Sequence, residues 1–375
     1  MRIDVIYGTR PELIKLAMLI RKLKSDEQFH VRLISTGQHK EMLEGIEEWF
    51  DILPDFLLNV LKPNQSLASL SSSLLAGLIE FYSKEGLPDW ILVQGDTHSA
   101  FIGSLTGFYF KVRVAHVEAG LRSFDRLSPF PEEMNRQFIS KLADVHFCPS
   151  AISKANLLDE KVKEEDIVVV GNTVIDALLY SREMIHSLGL YPEKLETYFT
   201  GDLSQSKIVL VTTHRRENFG NNLKSICLAV KELSVKNPEI HFILFVHFNP
   251  VVQQAVSEVL SEPLPNVVLI PPLSYPKFLA VLERANFLLT DSGGLQEEAP
   301  SFGKPVLLLR TNTERPEGVA SGCVKVIGSE FKEIVRYSQL LLDSPEEYQK
   351  MVVLENPFGK GNSSELILNK MREFE

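Results

Sequence analysis

The chain reads as an α/β protein of two doubly wound, Rossmann-like domains, each a parallel sheet covered by helices. Three observations say so. Short apolar runs rich in β-branched residues recur through the first part, as "IDVIYG", "VRLIST", "WILVQGD", "VRVAHVEAG", "DVHFCPS" and "DIVVVGN". Uninterrupted apolarity over about five residues suits a strand buried on both faces. After a polar stretch containing Tyr and Ser the pattern starts again, with "KIVLVTTH", "HFILFVH", "NVVLIPPL", "FLLTDSGG", "KPVLLLR" and "VKVIG". With 375 residues, 44% hydrophobic and 23% charged, the chain has room for about two cores.

Between the first two runs, Leu13, Leu16, Ala17, Ile20 and Leu23 recur at helical spacing among Lys15, Arg21, Lys22 and Lys24, completing a β-α-β unit. The expected boundaries are 1–171 for the first domain and 172–362 for the second. Residues 363–375 form a terminal helix that packs on either domain, the first being the expectation. No short repeat marks a solenoid. Ligands of open parallel sheets gather at the carboxyl ends of strands. Residues 8–12, 95–99, 118 onward, 214–218 and 291–294 all fall on such rims, where two domains of this kind would face each other.

The formal net charge of −10 argues against general nucleic-acid binding, so any anionic ligand must be met by local cations. No run approaches the roughly 18 uncharged apolar residues of a membrane span, and "MRIDVIYGTRPE" is too short in its apolar part for a signal peptide. A cytoplasmic protein with no membrane contact is expected. Cys148, Cys227 and Cys323 lie far apart without a CxxC, and read as buried small hydrophobes. His98 and His116 lack a metal-ligand spacing, so no metal is expected. Neither a G-x-G-x-x-G dinucleotide fingerprint nor a P-loop occurs.

In "TDSGGLQEEAPSFGKPVLLLR", Ser292, Gly293 and Gly294 lack bulk where a strand becomes a helix, so backbone N–H groups can receive a phosphate; the alternative is a tight turn capped by Ser292. Glu298, one turn on, either accepts from sugar hydroxyls or lies on an exposed helix face. Gly303 ends that helix and Pro305 opens the next strand. In "GTRPELIK", Pro11 fits the first helical position and aims Arg10 outward, to ligand or to solvent. "THRREN" brings His214, Arg215 and Arg216 together, able to neutralise a diphosphate whose charge grows as it leaves. Asp96 and Glu118 end neighbouring strands, as acid and base if burial raises their pKa values, or as helix caps. In "HVEAGLRSFDRLSPFPEEMNR", Pro131 with Glu132 and Glu133 opens a helix on which Glu132 and Arg136 are i, i+4 partners. That pair is either a solvated decoration or, behind the stiff Pro129, Phe130 and Pro131, a wall of a site.

Together with "STGQHKEML", "GNTVIDAL", "VHFNP" and "TERPEG", the motifs "GTRPE", "GDT", "HVEAGLRS", "SPFPEEMNR", "HRREN" and "DSGGLQEEAPSFGKPVLLLR" resemble, in this order and spacing, the non-hydrolysing UDP-N-acetylglucosamine 2-epimerases. The resemblance implies a glycosyltransferase-B-type fold with the nucleotide sugar in a cleft, a homodimer, and a place in polysaccharide biosynthesis. It implies interconversion of UDP-GlcNAc and UDP-ManNAc with no cofactor, by elimination of UDP to a 2-acetamidoglucal and re-addition. The chemistry agrees with the residues present. No carbonyl acidifies C2, so proton loss must be coupled to departure of the diphosphate, which needs a base, cations and exclusion of water. By the resemblance, Asp96, Glu118 and Glu132 are the acid/base candidates and His214 serves the departing UDP. Arg10, Lys15, Arg136 and Arg315 hold phosphate or order the carboxylates. Ser292, Gly293 and Gly294 bind diphosphate, Glu298 the ribose, and Phe278 lies near the uracil. Which carboxylate takes the proton stays open.

Many members are activated by a second UDP-GlcNAc beside the active site. Here that neighbourhood reads Gln38, His39, Lys40 and Glu41, with Asn64 before Gln65, so hyperbolic substrate curves are expected. His98 stands where a small residue is usual and bears on sugar preference. The rival readings are a 2-epimerase of a modified UDP-N-acetyl sugar, a hydrolysing epimerase, a glycosyltransferase-B-type transferase needing an acceptor, and a non-catalytic nucleotide-sugar sensor.

Overall fold

A computed structural model describes residues 1–37, 40–60, 65–190, 206–213, 215 and 218–374. The chain forms two compact units, Met1–Leu179 together with Phe358–Glu375, and Tyr180–Pro357.

The first unit holds a parallel sheet of β1 (Arg2–Tyr7), β2 (His30–Ser35), β3 (Phe56–Leu57), β4 (Trp90–Gln94), β5 (Arg113–Val117), β6 (Val145–Cys148) and β7 (Ile167–Val169), in the order β3-β2-β1-β4-β5-β6-β7. Six of these are the apolar runs of the sequence. The seventh, β3, is a two-residue edge segment paired with Ile34 and Ser35, too short and too exposed to leave an apolar signature.

The helix Arg10–Lys24 starts with Pro11 in its first turn and buries Leu13, Leu16, Ala17, Ile20 and Leu23. Lys15 is buried with them, at 8% exposure. The helix Ser363–Arg372 belongs to the same unit and buries Ile367, Leu368 and Met371. Its N-terminus is met by Asp176, whose carboxylate accepts from the backbone N–H of Ser364 at 2.8 Å and of Ser363 at 3.2 Å. A carboxylate there satisfies orphan donors and the positive end of the dipole together. Lys22 pairs with Glu365 at 2.6 Å along the helix flank.

The second unit holds β8 (Lys207–Thr212), β9 (Ile240–Phe245), β10 (Val267–Ile270), β11 (Phe287–Thr290), β12 (Val306–Leu308) and β13 (Val324–Val326), parallel and ordered β10-β9-β8-β11-β12-β13. Its core packs Val209, Val211, Phe242, Leu244, Phe287 and Leu289 of the sheet against Leu223, Ile226 and Val230 of the helix Asn221–Lys236. In both sheets the chain works outward from one central strand, then returns and continues on its other side. That reversal lies between β1 and β4 in the first unit and between β8 and β11 in the second, which is where open α/β sheets take ligands.

Cys148, Cys227 and Cys323 are free and buried. Among the described residues no helix is long and apolar enough to cross a membrane.

Candidate active site

In the first unit the reversal point is stitched by Glu12. Its carboxylate accepts from the backbone N–H groups of Gly8 at 3.0 Å and Thr9 at 2.7 Å, and from the Thr97 hydroxyl at 2.7 Å. One side chain thereby joins the turn after β1, which carries Arg10, to the turn after β4, which carries Asp96. Burial pushes Glu12 up to about 7 against the pull of its hydrogen bonds from Thr97 and Thr9. Between the ordinary value of 4.5 and about 7 the folded protein keeps a proton that the unfolded chain has released. Stability from this group is therefore present below pH 4.5 and lost as pH rises through about 7, by about 3 kcal/mol. Glu12→Gln, neutral and able to accept the backbone bonds, should flatten that slope. Urea unfolding at pH 5 and pH 8 checks it; equal slopes in variant and parent would contradict the assignment.

Glu118 follows β5 with φ 66°, a left-handed conformation that costs a non-glycine residue about 1 kcal/mol or more. The fold holds it there by its side chain. The Lys15 ammonium and the Gln94 amide each donate to its carboxylate, and Asn172 reaches it at 3.5 Å. Gly95, at φ 69°, leaves room for this packing: a Cβ there would lie 3.3 Å from Glu118 Oε2. The Gly95 carbonyl accepts from His116 Nε2 at 2.8 Å. Burial, with His146 alongside, pushes His116 down to about 3, so the ring is neutral and serves to fix the turn.

Asp96 pairs with Arg136 at 2.5 Å, and its backbone carbonyl accepts from the Asn135 amide at 2.8 Å. Arg136 also donates to Glu133 at 3.2 Å. The fully buried Glu133 accepts in addition from the backbone of Ser123 at 2.9 Å and from Gln137 at 3.0 Å. Glu133 therefore ties residues 119–131 to the helix Glu132–Leu142, while the half-buried Glu132 stands at its first position after Pro131. Both Ser128-Pro129 and Phe130-Pro131 are cis. The loop exposes Phe124 at 77%, Leu127 at 69% and Phe130 at 62%. His98 is half-buried at the start of the helix His98–Phe110.

In the second unit, buried Asp291 repeats the stitching of Glu12. Its Oδ2 accepts from the Arg215 backbone at 3.0 Å and the Asn218 amide at 2.9 Å, and Asn218 also donates to the Leu309 carbonyl at 3.1 Å. The turns after β8, β11 and β12 are thus bound into one rim. Ser292 is the N-cap of the short helix Gly293–Glu298, and its hydroxyl makes no capping bond. Gly293 gives the Arg315 guanidinium room to lie against the turn: a Cβ there would sit 2.8 Å from Nη1 and push that side chain aside. Gly294 has open space on that side. Arg315 Nε donates to Glu297 at 2.5 Å. Glu298 is buried and accepts from the Tyr275 hydroxyl at 3.3 Å. Phe278, on the helix Tyr275–Arg284, meets Phe245 edge-on with centroids 5.3 Å apart. Gly303, at φ 64°, closes the 3-10 turn Ala299–Phe302 ahead of β12.

Six expected site residues fall on one rim in the first unit: Arg10, Lys15, Asp96, Glu118, Glu132 and Arg136. Another seven, Arg215, Phe278, Ser292, Gly293, Gly294, Glu298 and Arg315, lie in the second. His214 and Arg216 lie outside the described residues, as do Gln38, His39 and Asn64 and the side chains of Lys40 and Glu41. The buried carboxylates Glu12, Glu133, Glu297 and Glu314 escape a sequence reading. The acidic pair Glu132-Glu133 opens one helix and the pair Glu297-Glu298 closes another, and in each pair at least one carboxylate is buried. Among the described residues no group of His, Cys, Asp and Glu is arranged to hold a metal ion.

Two units, each a parallel sheet of dinucleotide-type strand order with charged side chains rather than a glycine fingerprint at its reversal point, define a glycosyltransferase-B-like α/β protein. A family profile described as UDP-N-acetylglucosamine 2-epimerase matches residues 21–372. The UDP-N-acetylglucosamine 2-epimerase of Salmonella typhimurium is 41% identical over 374 residues, covering 100% of this chain and 99% of that protein. The crystal structure of UDP-GlcNAc 2-epimerase from Neisseria meningitidis bound to UDP-GlcNAc superposes with a TM-score of 0.94 at 42% identity, covering 100% of both chains. The Methanocaldococcus jannaschii UDP-GlcNAc 2-epimerase in complex with UDP-GlcNAc and UDP gives 0.85 at 32% identity, again covering 100% of both. The chain belongs to the UDP-N-acetylglucosamine 2-epimerase family, a family of isomerases.

Proposed function

We propose that the protein interconverts UDP-GlcNAc and UDP-ManNAc by eliminating UDP and adding it back. The observation that carries this is the pair of clamped carboxylates, Asp96 on Arg136 and Glu118 on Lys15, at the ends of neighbouring strands beside the reversal point. One carboxylate of the set Asp96, Glu118 and Glu132 takes the C2 proton as the C1–O bond breaks. The C2–H electron pair becomes the C1–C2 double bond of a 2-acetamidoglucal, and the C1–O pair leaves on the β-phosphate. A carboxylate on the opposite face returns a proton to C2 as UDP re-adds. The oxidation state of the sugar is the same before and after, so the reaction calls for no hydride acceptor. Arg10, Arg215, Arg315 and the 292–294 turn hold the diphosphate, with His214 at the leaving oxygen, Glu298 at the ribose and Phe278 near the uracil.

Lys15 and Arg136 order the carboxylates by charge-assisted hydrogen bonds. We infer a cytoplasmic homodimer serving polysaccharide synthesis; three buried free cysteines suit a reducing compartment. Incubation with UDP-GlcNAc in deuterated water, followed by NMR, should give UDP-ManNAc carrying deuterium at C2. An inert UDP-GlcNAc would overturn the substrate assignment, and release of free sugar would point to a hydrolysing enzyme.

A further inference from the structure

Three arginines of the second unit converge on one carboxylate. Glu314 accepts from Arg315 Nη1 at 2.6 Å on one oxygen and from Arg310 Nη1 at 2.9 Å on the other, and Arg215 Nη2 lies 3.6 Å away. Glu297 takes the Nε side of Arg315. The side chains of Glu314, Arg310, Arg315 and Glu297 are all buried, whereas that of Arg215 is 26% exposed. Burial alone would push Glu314 upward, but Arg315, Arg310 and Arg215 outweigh it and hold the carboxyl well below the usual carboxylate range. It is therefore a fixed anion at any working pH. Buried guanidiniums repel one another and lose hydration, so they share a rim only when a counter-charge receives their N–H edges.

We propose that Glu314 is the positioning residue of an arginine fan: it fixes the plane of Arg315 by a hydrogen bond and draws Arg215 in by charge, for a nucleoside diphosphate, and so determines how tightly UDP is held. The placement of Arg315 against the Gly293 turn is the geometric basis. A guanidinium packed on that glycine can address a phosphate at the 292–294 turn only while Glu314 and Glu297 fix its rotation. The role rests on the reading of the chain as a UDP-sugar epimerase.

Position and charge make opposite predictions. If Glu314 were only a negative charge near an anion site, its removal would tighten UDP binding. If it orients the arginines, removal loosens binding despite the gain in positive charge. We expect Glu314→Gln to weaken UDP binding by calorimetry about tenfold or more, the scale of one misplaced charged hydrogen bond. KM for UDP-GlcNAc should rise by more than kcat falls, as for binding lost equally from ground and transition states. Glu314→Asp keeps the charge but draws it back by one methylene, and should bind UDP with intermediate affinity while melting near the parent. Should Glu314→Gln fail to fold, the aspartate variant decides: UDP affinity equal to the parent's overturns the proposal. Equal or tighter UDP binding by folded Glu314→Gln overturns it as well. A parent protein that does not bind UDP removes the epimerase reading and this role with it, an outcome distinct from a parent that binds and a variant that matches it.

Discussion

Glu118→Gln is expected to lower kcat by about 10²–10⁴-fold, the usual contribution of a positioned acid or base. The amide keeps the size of the carboxylate and can accept the Lys15 bond through its carbonyl, so the fold around it should persist. What it loses is basicity. It also turns an amide N–H toward Gln94, which now donates to the carboxylate. The argument for so large an effect is the effort the structure makes to hold this group. A left-handed non-glycine backbone, a buried lysine and a glutamine from the adjacent strand all serve one side chain. Such strain persists where the surroundings over-determine it, and it clusters at functional sites. Steady-state rates together with deuterium entry at C2 check the result. Exchange at the parental rate would exclude Glu118 from proton transfer and leave Asp96 and Glu132.

Arg136→Met is expected to cost about 3–5 kcal/mol of stability and most of the activity, the range for breaking a buried pair from one side. Arg136 lies between two carboxylates of different jobs. Glu133 has no exposure, and without Arg136 its charge would rest on the Ser123 backbone N–H and the Gln137 amide. Asp96 is partly exposed, with 24% of its side chain accessible, so its loss of partner would show as disorder of the acid/base group more than as unfolding. Arg136→Lys separates the two effects. The charge remains near Glu133, but a point charge cannot serve two carboxylates as a planar fork does. Denaturant midpoints and kcat/KM should therefore move together in the methionine variant and diverge in the lysine variant. A parental midpoint in Arg136→Met would show that Glu133 is satisfied without the arginine.

Strands buried on both faces write themselves into the sequence as continuous apolar runs, and the partly exposed edge strands β7, β10 and β13 keep such runs too, so β1, β2 and β4 to β13 were legible while the two-residue edge strand β3 was not. The positions of Asp96 and Glu118 at adjacent strand ends were legible too, since they follow directly from where those runs stop. Buried ion pairs were not. Lys15 lies on the apolar stripe of its helix, but its partner Glu118 is 103 residues away, and the Thr97 hydroxyl that anchors Glu12 is 85 residues away. Periodicity sends every charged residue to the surface by default, so it has no means of marking a carboxylate that faces inward. In "PFPEEMNR" the same rule chose the i, i+4 pair of Glu132 and Arg136 and passed over Glu133, whose burial depends on the chain folding back at Ser123.

The Asp176 carboxylate that receives the helix Ser363–Arg372 carries a consequence for biosynthesis. The first unit is discontinuous: it takes Met1–Leu179 and also Phe358–Glu375, whereas the second is one uninterrupted stretch between them, Tyr180–Pro357. On a ribosome the sheet of the first unit emerges before the second unit, yet the helix Ser363–Arg372, which holds the partners of Asp176, is translated only after it. The unit begun first is therefore completed only after all of the inserted one has been made, and the inserted unit can close on itself before then.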